Sequence, residues 1–328
     1  MSARCISVER MLLSTLGLHG ACLRRDAVAA LGEYRVRIAL ESGELISAFG
    51  GVVMEPGRTA DPLTVVSSAV LAAGDDAVVA GATAAHLHGC SAVDPLPVHL
   101  MVPYGHWLRS GAGLVVHNGR SVERDREIVQ GVPVLGLERV VTDMLCRDRP
   151  QDALAVADQA LARIDASHRD GFRSRIRQRL DERPDPRGTR FARHLLGLAT
   201  GRAESPAESW LLWVIVDLGF PIPEVNWSIR GVDGREIYRV DLAWPALRIA
   251  VEYNGYSAHA ERTADDEARV RDLRKRGWIV LVVEADDLRS PARVELELHA
   301  AFVSRGWDLR QRSVGTTRRR RHRDSRAS

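Results

Sequence analysis

The sequence predicts an α/β chain (α+β overall), and three observations carry that prediction. Residues 7–55 pattern as short helices followed by a glycine-turned hairpin, and residues 60–148 mix helical and extended stretches. From residue 204 onward, strands and helices follow one another in a regular succession. Two of those strands, 238–244 and 248–254, alternate polar and apolar residues as a sheet with a buried face requires.

At the front of the chain, residues 25–31 read as one helix and 33–42 as a second, with Gly43 as its left-handed cap. Residues 45–54 read as a hairpin turned at Gly50-Gly51. Helix, turn, helix and hairpin make a winged helix over residues 1–57, which would set the second helix, with Arg35 and Arg37, in a DNA major groove. The same residues also suit a small helical cap without a ligand. In the mixed domain, 58–148, residues 65–73 and 82–88 read as helices and 98–103 and 113–117 as strands. His86, His88, His99 and His117 have no metal-site spacing and are expected to be ordinary hydrogen-bonded histidines. Residues 149–203 are helical, rich in arginine and aspartate and broken at Pro184 and Pro186, and read as a connector.

The domain over 204–306 opens with Ser205-Pro206-Ala207-Glu208, a cap residue, a proline at the first helical position and a carboxylate three residues after the cap. An apolar helix over 210–218 follows and ends at Gly219. Strands are then expected at 224–230, 238–244 and 248–254, a charged helix at 263–276, a strand at 278–284 and a helix at 291–304. Residues 307–328 form an arginine-rich tail, expected to be disordered.

A turn at Pro245-Ala246 sets Asp241 opposite Ala250 and makes Glu252 its diagonal neighbour, about 7 Å away at the backbone. Both acids then project from one face, together with Asn254. Two carboxylates so placed repel unless compensated, and a divalent cation with oxygen ligands, Mg²⁺ above all, resolves the repulsion. Such an ion activates water and stabilises charge on a phosphate oxygen. A wet sheet face with two ordinary acids satisfies the same pattern. Nearby stand His259, whose pKa range suits a general base, and Asp266 and Arg269, one helical turn apart. Arg269 can pair with phosphate or orient a carboxylate. Glu208 reads equally as a capping residue or as a third site carboxylate.

Composition narrows the function classes. Hydrophobic residues make up 45% and charged residues 27%, which excludes a chain that is mainly disordered. There is no run of about 18 apolar residues, so no membrane helix is expected; nor is a secretory signal, since the apolar stretch 11–16 is short and follows Glu9. Four scattered cysteines offer neither a disulfide framework nor zinc spacing, which points to a reducing cytoplasm. The net charge of +3 hides an asymmetry, because residues 305–328 hold nine arginines against Asp308 and Asp324. That tail, with Arg319 and Arg320 in its densest run, carries +7 and the remaining 304 residues −4, a distribution suited to a polyanion.

Taken together, Glu208, Gly219-Phe220-Pro221, the run from Arg239 to Pro245, Val251-Glu252-Tyr253-Asn254-Gly255, His259, Asp266, Arg269, Leu273 and Gly277-Trp278 resemble a known family. It is the very-short-patch-repair (Vsr) endonuclease-like domains of the PD-(D/E)xK restriction-endonuclease-like superfamily. The resemblance spans roughly a third of the chain. It implies a mixed sheet flanked by helices and Mg²⁺-dependent hydrolysis of DNA phosphodiesters. It also implies Asp241 as the central metal-binding acid, Glu252 as the second, Glu208 as the helix carboxylate and His259 as the general base. Asn254 occupies the place of the superfamily's signature lysine and brings a carbonyl ligand without charge; the zinc-binding cysteines of such repair enzymes are absent. The only lysine, Lys275, sits in a basic helix end. The front half, with residues 81–89, Gly131-Val132-Pro133-Val134 and residues 137–143, resembles AbiEi-type antitoxins of type IV toxin–antitoxin systems, which implies DNA-binding autoregulation and a toxin partner. The expectations are thus a metal-dependent DNA endonuclease targeted by its N-terminal module, or a non-catalytic DNA-binding regulator, or a protein-interaction module whose tail binds an acidic partner.

Overall fold

The computed structural model describes residues 17–255 and 264–308. The chain divides into two compact units between Met144 and Leu145. It is of the α/β class, with mixed and antiparallel sheets among many helices.

The first unit begins with β1 (Ala21–Leu23), α1 (Arg24–Leu31), α2 (Glu33–Glu41), β2 (Ile46–Ser47) and β3 (Val52–Met54). Gly32, at φ 86°, breaks α1 from α2 in a backbone region that suits glycine. The strands form an antiparallel sheet in the order β1-β3-β2, with the expected hairpin as its wing. Helices and sheet close over Cys22, Ala27, Val36, Leu45 and Val53. This is the strand–helix–helix–wing order of a winged helix. β1 escaped sequence reading because three residues are too few to show a period.

Next comes α3 (Pro62–Ala73), which starts three residues before its expected position. The apolar run set the expectation, but Asp61 caps the helix by accepting from the N–H of Leu63 at 3.2 Å, with Pro62 at the first position. Then follow β4 (Val78–Val79), α4 (Gly81–Leu87), β5 (Val98–Val102), β6 (Leu114–Asn118), β7 (Arg126–Val129) and β8 (Val132–Leu135). They make one five-stranded mixed sheet, ordered β6-β5-β4-β8-β7. The β7–β8 hairpin was not expected; it turns at Gln130 (φ 49°) and Gly131 (φ 75°), left-handed at both positions. The histidines behave as expected: His86 is hydrogen-bonded to the Val93 carbonyl (3.2 Å), His88 to that of Leu135 (2.8 Å) and His99 to His117 (3.1 Å). In α5 (Leu137–Arg147), Arg139 is held between Asp125 (3.0 Å) and Asp143 (2.7 Å).

The second unit contains α6 (Pro150–Ala162), α7 (Arg169–Asp181), α8 (Thr189–Leu198) and α9 (Pro206–Asp217). The segment read as a connector is packed as part of this unit. Helix α6 buries eight residues, Asp158 among them. The Asp158 carboxylate accepts from the N–H groups of Thr200 and Gly201, both at 2.6 Å, and from the Ser209 hydroxyl at 2.8 Å. One buried acid thus fastens the helices of 150–198 to α9. A polar-rich composition suggested a linker; it hid an apolar stripe on α6 and α8.

Beyond α9 lie β9 (Glu224–Arg230), β10 (Glu236–Trp244), β11 (Ile249–Asn254), α10 (Ala264–Lys275), β12 (Ile279–Glu284), the short α11 (Ala285–Arg289) and α12 (Ala292–Ser304). The sheet runs β12-β11-β10-β9, antiparallel except for the parallel β11–β12 pair. This is a mixed sheet flanked by helices. From α10, Val270 and Leu273 pack on the cluster of Val240, Ala243, Ala250 and Val280. Elsewhere Phe302 of α12 meets Trp244 edge-on at 4.9 Å and Phe220 at 5.3 Å.

Candidate active site

Strands β10 and β11 pair Leu242 with Val251, Ala243 with Ala250 and Trp244 with Ile249. Continued by one residue, this register sets Asp241 opposite Glu252, two residues away from the expected pairing with Ala250. The loop explains the shift. In place of a two-residue turn at Pro245-Ala246, a 3₁₀ turn over Pro245–Leu247 closes with Arg248 in the left-handed region, at φ 50°. Because side chains alternate with a period of two, the sequence pattern fixes which face a residue occupies but not registers that differ by two. The acids stay on one face, and as directly opposed residues they stand about 5 Å apart at the backbone, closer than a diagonal pair.

Each acid is held differently. The Asp241 carboxylate accepts from the N–H of Tyr253 at 2.7 Å. Burial is the main cause that lifts its pKa to about 6; neighbouring Glu208 and Glu252 add to the rise, while the Tyr253 N–H and Arg269 oppose it. Glu252 is paired with Arg269 of α10 at 2.7 Å. Arg269 is fixed further by donating to the Arg239 carbonyl and by lying 5.8 Å from the centre of the Tyr238 ring. Its Nε has no hydrogen-bond partner among the described residues, so one buried guanidinium donor is unspent.

Asp241, Glu252, Asn254 and Arg269 line one cavity of about 530 Å³. Glu267 and Glu297 add two further acids, and Arg271, Arg274 and Arg293 three further arginines. Among the described residues, four carboxylates and four guanidinium groups thus line the cavity. Among the described residues no group of three or more His, Cys, Asp or Glu side chains is arranged to hold a metal ion. Asp241, Glu252 and Asn254, the three oxygen donors expected to hold a cation, all line the cavity.

Glu208 does not line that cavity. It is 8% exposed, and its oxygens accept from the Glu204 N–H (2.9 Å), the Ser205 hydroxyl (2.9 Å) and the Asn226 side-chain amide (3.1 Å). Ser205 in turn accepts from the Glu208 N–H at 3.3 Å. Of the two readings left open for Glu208, the capping role is the one these bonds occupy, and its effect on the site is the charge felt by Asp241. Ser205→Ala is expected to lower stability by about 1 kcal/mol, measured by thermal unfolding. A variant as stable as the parent would mean that this cap does not hold the start of α9.

No protein-family model matches the chain. Over 285 residues, 85% of this chain and 97% of the relative, the sequence is 33% identical to "Uncharacterized protein Rv2248" of Mycobacterium tuberculosis strain H37Rv. The same figures hold for "Uncharacterized protein MT2308" of Mycobacterium tuberculosis strain CDC 1551. The chain belongs to the Rv2248 family. An aligned share of that size exceeds either unit alone, so Rv2248-family likeness extends over both.

The other candidate residues of this Rv2248-family chain fall as follows. Arg35 and Arg37 are exposed on α2, beside exposed Tyr34. Arg37 lies 5.5 Å from the Tyr34 ring and 3.8 Å from Glu41. Asp266 belongs to the N-terminal part of α10. His259, Arg319 and Arg320 lie outside the described residues. Lys275 is exposed and does not line the cavity, whereas Arg274, next to it, does. Sequence reasoning missed Tyr238 and Arg293. No motif marks Tyr238, which touches Arg269 through its ring. Arg293 comes from α12, more than forty residues beyond Glu252, and is tied to Asp287 and Glu297 (2.8 Å). The signal available for it was an unusually charged first turn on an otherwise apolar helix.

Proposed function

We propose that the second unit hydrolyses DNA phosphodiester bonds with Mg²⁺ or another divalent cation, and that the N-terminal helix pair brings it to duplex DNA in the cytoplasm. The observation that carries this reading is that Asp241 and Glu252, on neighbouring strands, line one cavity together with Arg269. The donor set fits a hard cation: carboxylate oxygens from Asp241 and Glu252 and an amide carbonyl from Asn254. Bound there, the ion supplies an activated water and stabilises charge on the phosphate. Arg269 orients Glu252, and its guanidinium keeps further N–H donors for a phosphate oxygen. Asp241 holds a proton at low pH and must release it before it can act as a ligand. His259 remains the candidate base, and Asp266, Arg319 and Arg320 candidate helpers on the DNA. The test is conversion of supercoiled plasmid to nicked circles across Mg²⁺, Mn²⁺ and Ca²⁺; intact plasmid under every metal overturns the reading.

One observation favours a second reading, a non-catalytic DNA-binding regulator such as an antitoxin with a toxin partner. Glu252 is already neutralised by Arg269, and Asn254 carries no charge, while α2 presents Tyr34, Arg35 and Arg37 to solvent. For either reading, replacing both Arg35 and Arg37 by Ala is expected to weaken duplex binding about ten-fold or more and to reduce its salt dependence by about two counterions. A gel shift over a salt series measures this. Equal affinity with an unchanged slope would remove α2 from the DNA contact. If plasmid stays intact while a promoter fragment is bound specifically, the regulator is the function.

A further inference from the structure

A second groove in the same unit has a different chemistry. It encloses about 830 Å³ between β9, the β10–β11 loop and the α10–β12 loop. Arg202, Arg230, Arg239, Arg248 and Arg276 line it, all exposed, with Glu204 as the acid among the lining residues. That is a surplus of +4, or +3 once Asp272, paired to Arg276 at 2.7 Å, is counted. Among the described residues, the acid cavity by contrast is lined by equal numbers of acids and arginines. Several of these arginines have a contact that steadies them: Arg239 with Glu204 (3.2 Å), Arg230 with the Gly234 carbonyl (3.0 Å) and Arg248 with the Arg276 carbonyl (3.4 Å). A guanidinium has five N–H donors, so each keeps donors for a ligand.

Two indoles complete the groove. Trp227 and Trp278 both line it, and both pack against the apolar cluster of Ile229, Val240, Ala250 and Leu273. They are half-buried, anchored on the core and partly open to the groove.

We propose that this groove binds single-stranded nucleic acid, the arginines on its phosphates and the indoles against its unpaired bases. Anchored aromatic rings set among arginines match a ligand with planar faces and a regular negative charge, which is how sequence-tolerant single-strand sites are built. Duplex DNA hides its base faces in the stack, and an acidic peptide has none to offer. The groove also adjoins the acids through the chain itself. Arg239 precedes Asp241 by two residues on β10, about 7 Å along the strand, and Asn226, another lining residue, donates to Glu208 at 3.1 Å. The purpose of the strand rests on the nuclease reading; the binding does not.

The test uses the full chain in EDTA, so that no hydrolysis intervenes. A labelled thymidine oligomer of about 16 nucleotides is titrated by anisotropy and by quenching of tryptophan fluorescence. The parent is expected to bind with quenching. The double variant Arg230→Ala, Arg248→Ala is expected to lose about ten-fold or more in affinity and about two counterions of salt dependence, with duplex binding nearly unchanged. Trp278→Leu is expected to lose about ten-fold as well; should it fail to fold, the exposed arginine pair still decides. No binding by the parent, or undiminished binding by the arginine variant, overturns the proposal. Polyglutamate that displaces the oligomer at equal charge overturns it in favour of an acidic protein partner, and equal losses for duplex and single strand overturn it in favour of a duplex contact. Plasmid nicking without single-strand binding sinks this proposal alone; single-strand binding without nicking sinks the nuclease reading alone.

Discussion

Asp241→Asn is expected to abolish plasmid nicking, by at least about a hundred-fold, and at the same time to make the protein more stable at pH 8. The two effects share a cause. The folded protein raises the Asp241 pKa from 3.8 to about 6, chiefly by burying it. Between those values the folded state therefore binds a proton that the unfolded chain does not. The stabilisation is fully present below about pH 4 and is lost as pH rises through 6, so above pH 7 the ionised carboxylate is a burden of about 1–3 kcal/mol. Asparagine removes the charge, keeps an oxygen for the Tyr253 N–H and relieves the repulsion from Glu208 and Glu252. Unfolding curves at pH 5 and pH 8 check the stability, with the gain expected only at the higher pH. In the parent, nicking should fall as pH drops below about 6, where a proton competes for the carboxylate. An asparagine variant that nicks at the parental rate would end the case for hydrolysis at this site; one less stable at pH 8 would mean that Asp241 is structural.

The second large effect concerns Asp158. Asp158→Ala is expected to cost about 3–5 kcal/mol in urea unfolding of the full chain. Burial raises the Asp158 pKa, and the N–H groups of Gly201 and Thr200 and the Ser209 hydroxyl pull it back. Alanine strands those buried donors, each without water to replace the lost acceptor. Asp158→Asn restores an acceptor but turns an amide NH₂ toward one of the donors, so a smaller loss, about 1–2 kcal/mol, is expected. If alanine cost less than about 1 kcal/mol, α6 would not be fastened to α9 through this carboxylate, and the segment would be the connector that its composition suggests.

What the sequence reveals here depends on which signal is periodic. The winged hairpin, the four strands of the second unit and the charged helix α10 were each legible from alternation and glycine punctuation, to within a few residues. So was the face that Asp241 and Glu252 share, because alternation reports facing directly. Register was not legible, since it depends on Arg248 adopting a left-handed conformation, for which an arginine gives no advance sign. Strands of two to four residues such as β1, β4 and β7 are too short to show a period. The sequence lets Arg269 pair with a carboxylate or with a phosphate, and only packing of α10 on the sheet selects Glu252. Asp158 looked like one more charge in a charged stretch; what distinguishes it is burial, which a single polar letter does not announce.

The four-residue loop between β10 and β11 has a consequence for how this domain tolerates change. Lengthening or shortening it by two residues would slide one carboxylate past the other yet leave both aimed at the same cavity. A change of one residue would turn every side chain of one strand over, sending an acid into the hydrocarbon layer and a valine into the cavity. Natural variation in this loop should therefore come in steps of two, and a single inserted glycine there would be more damaging than a pair.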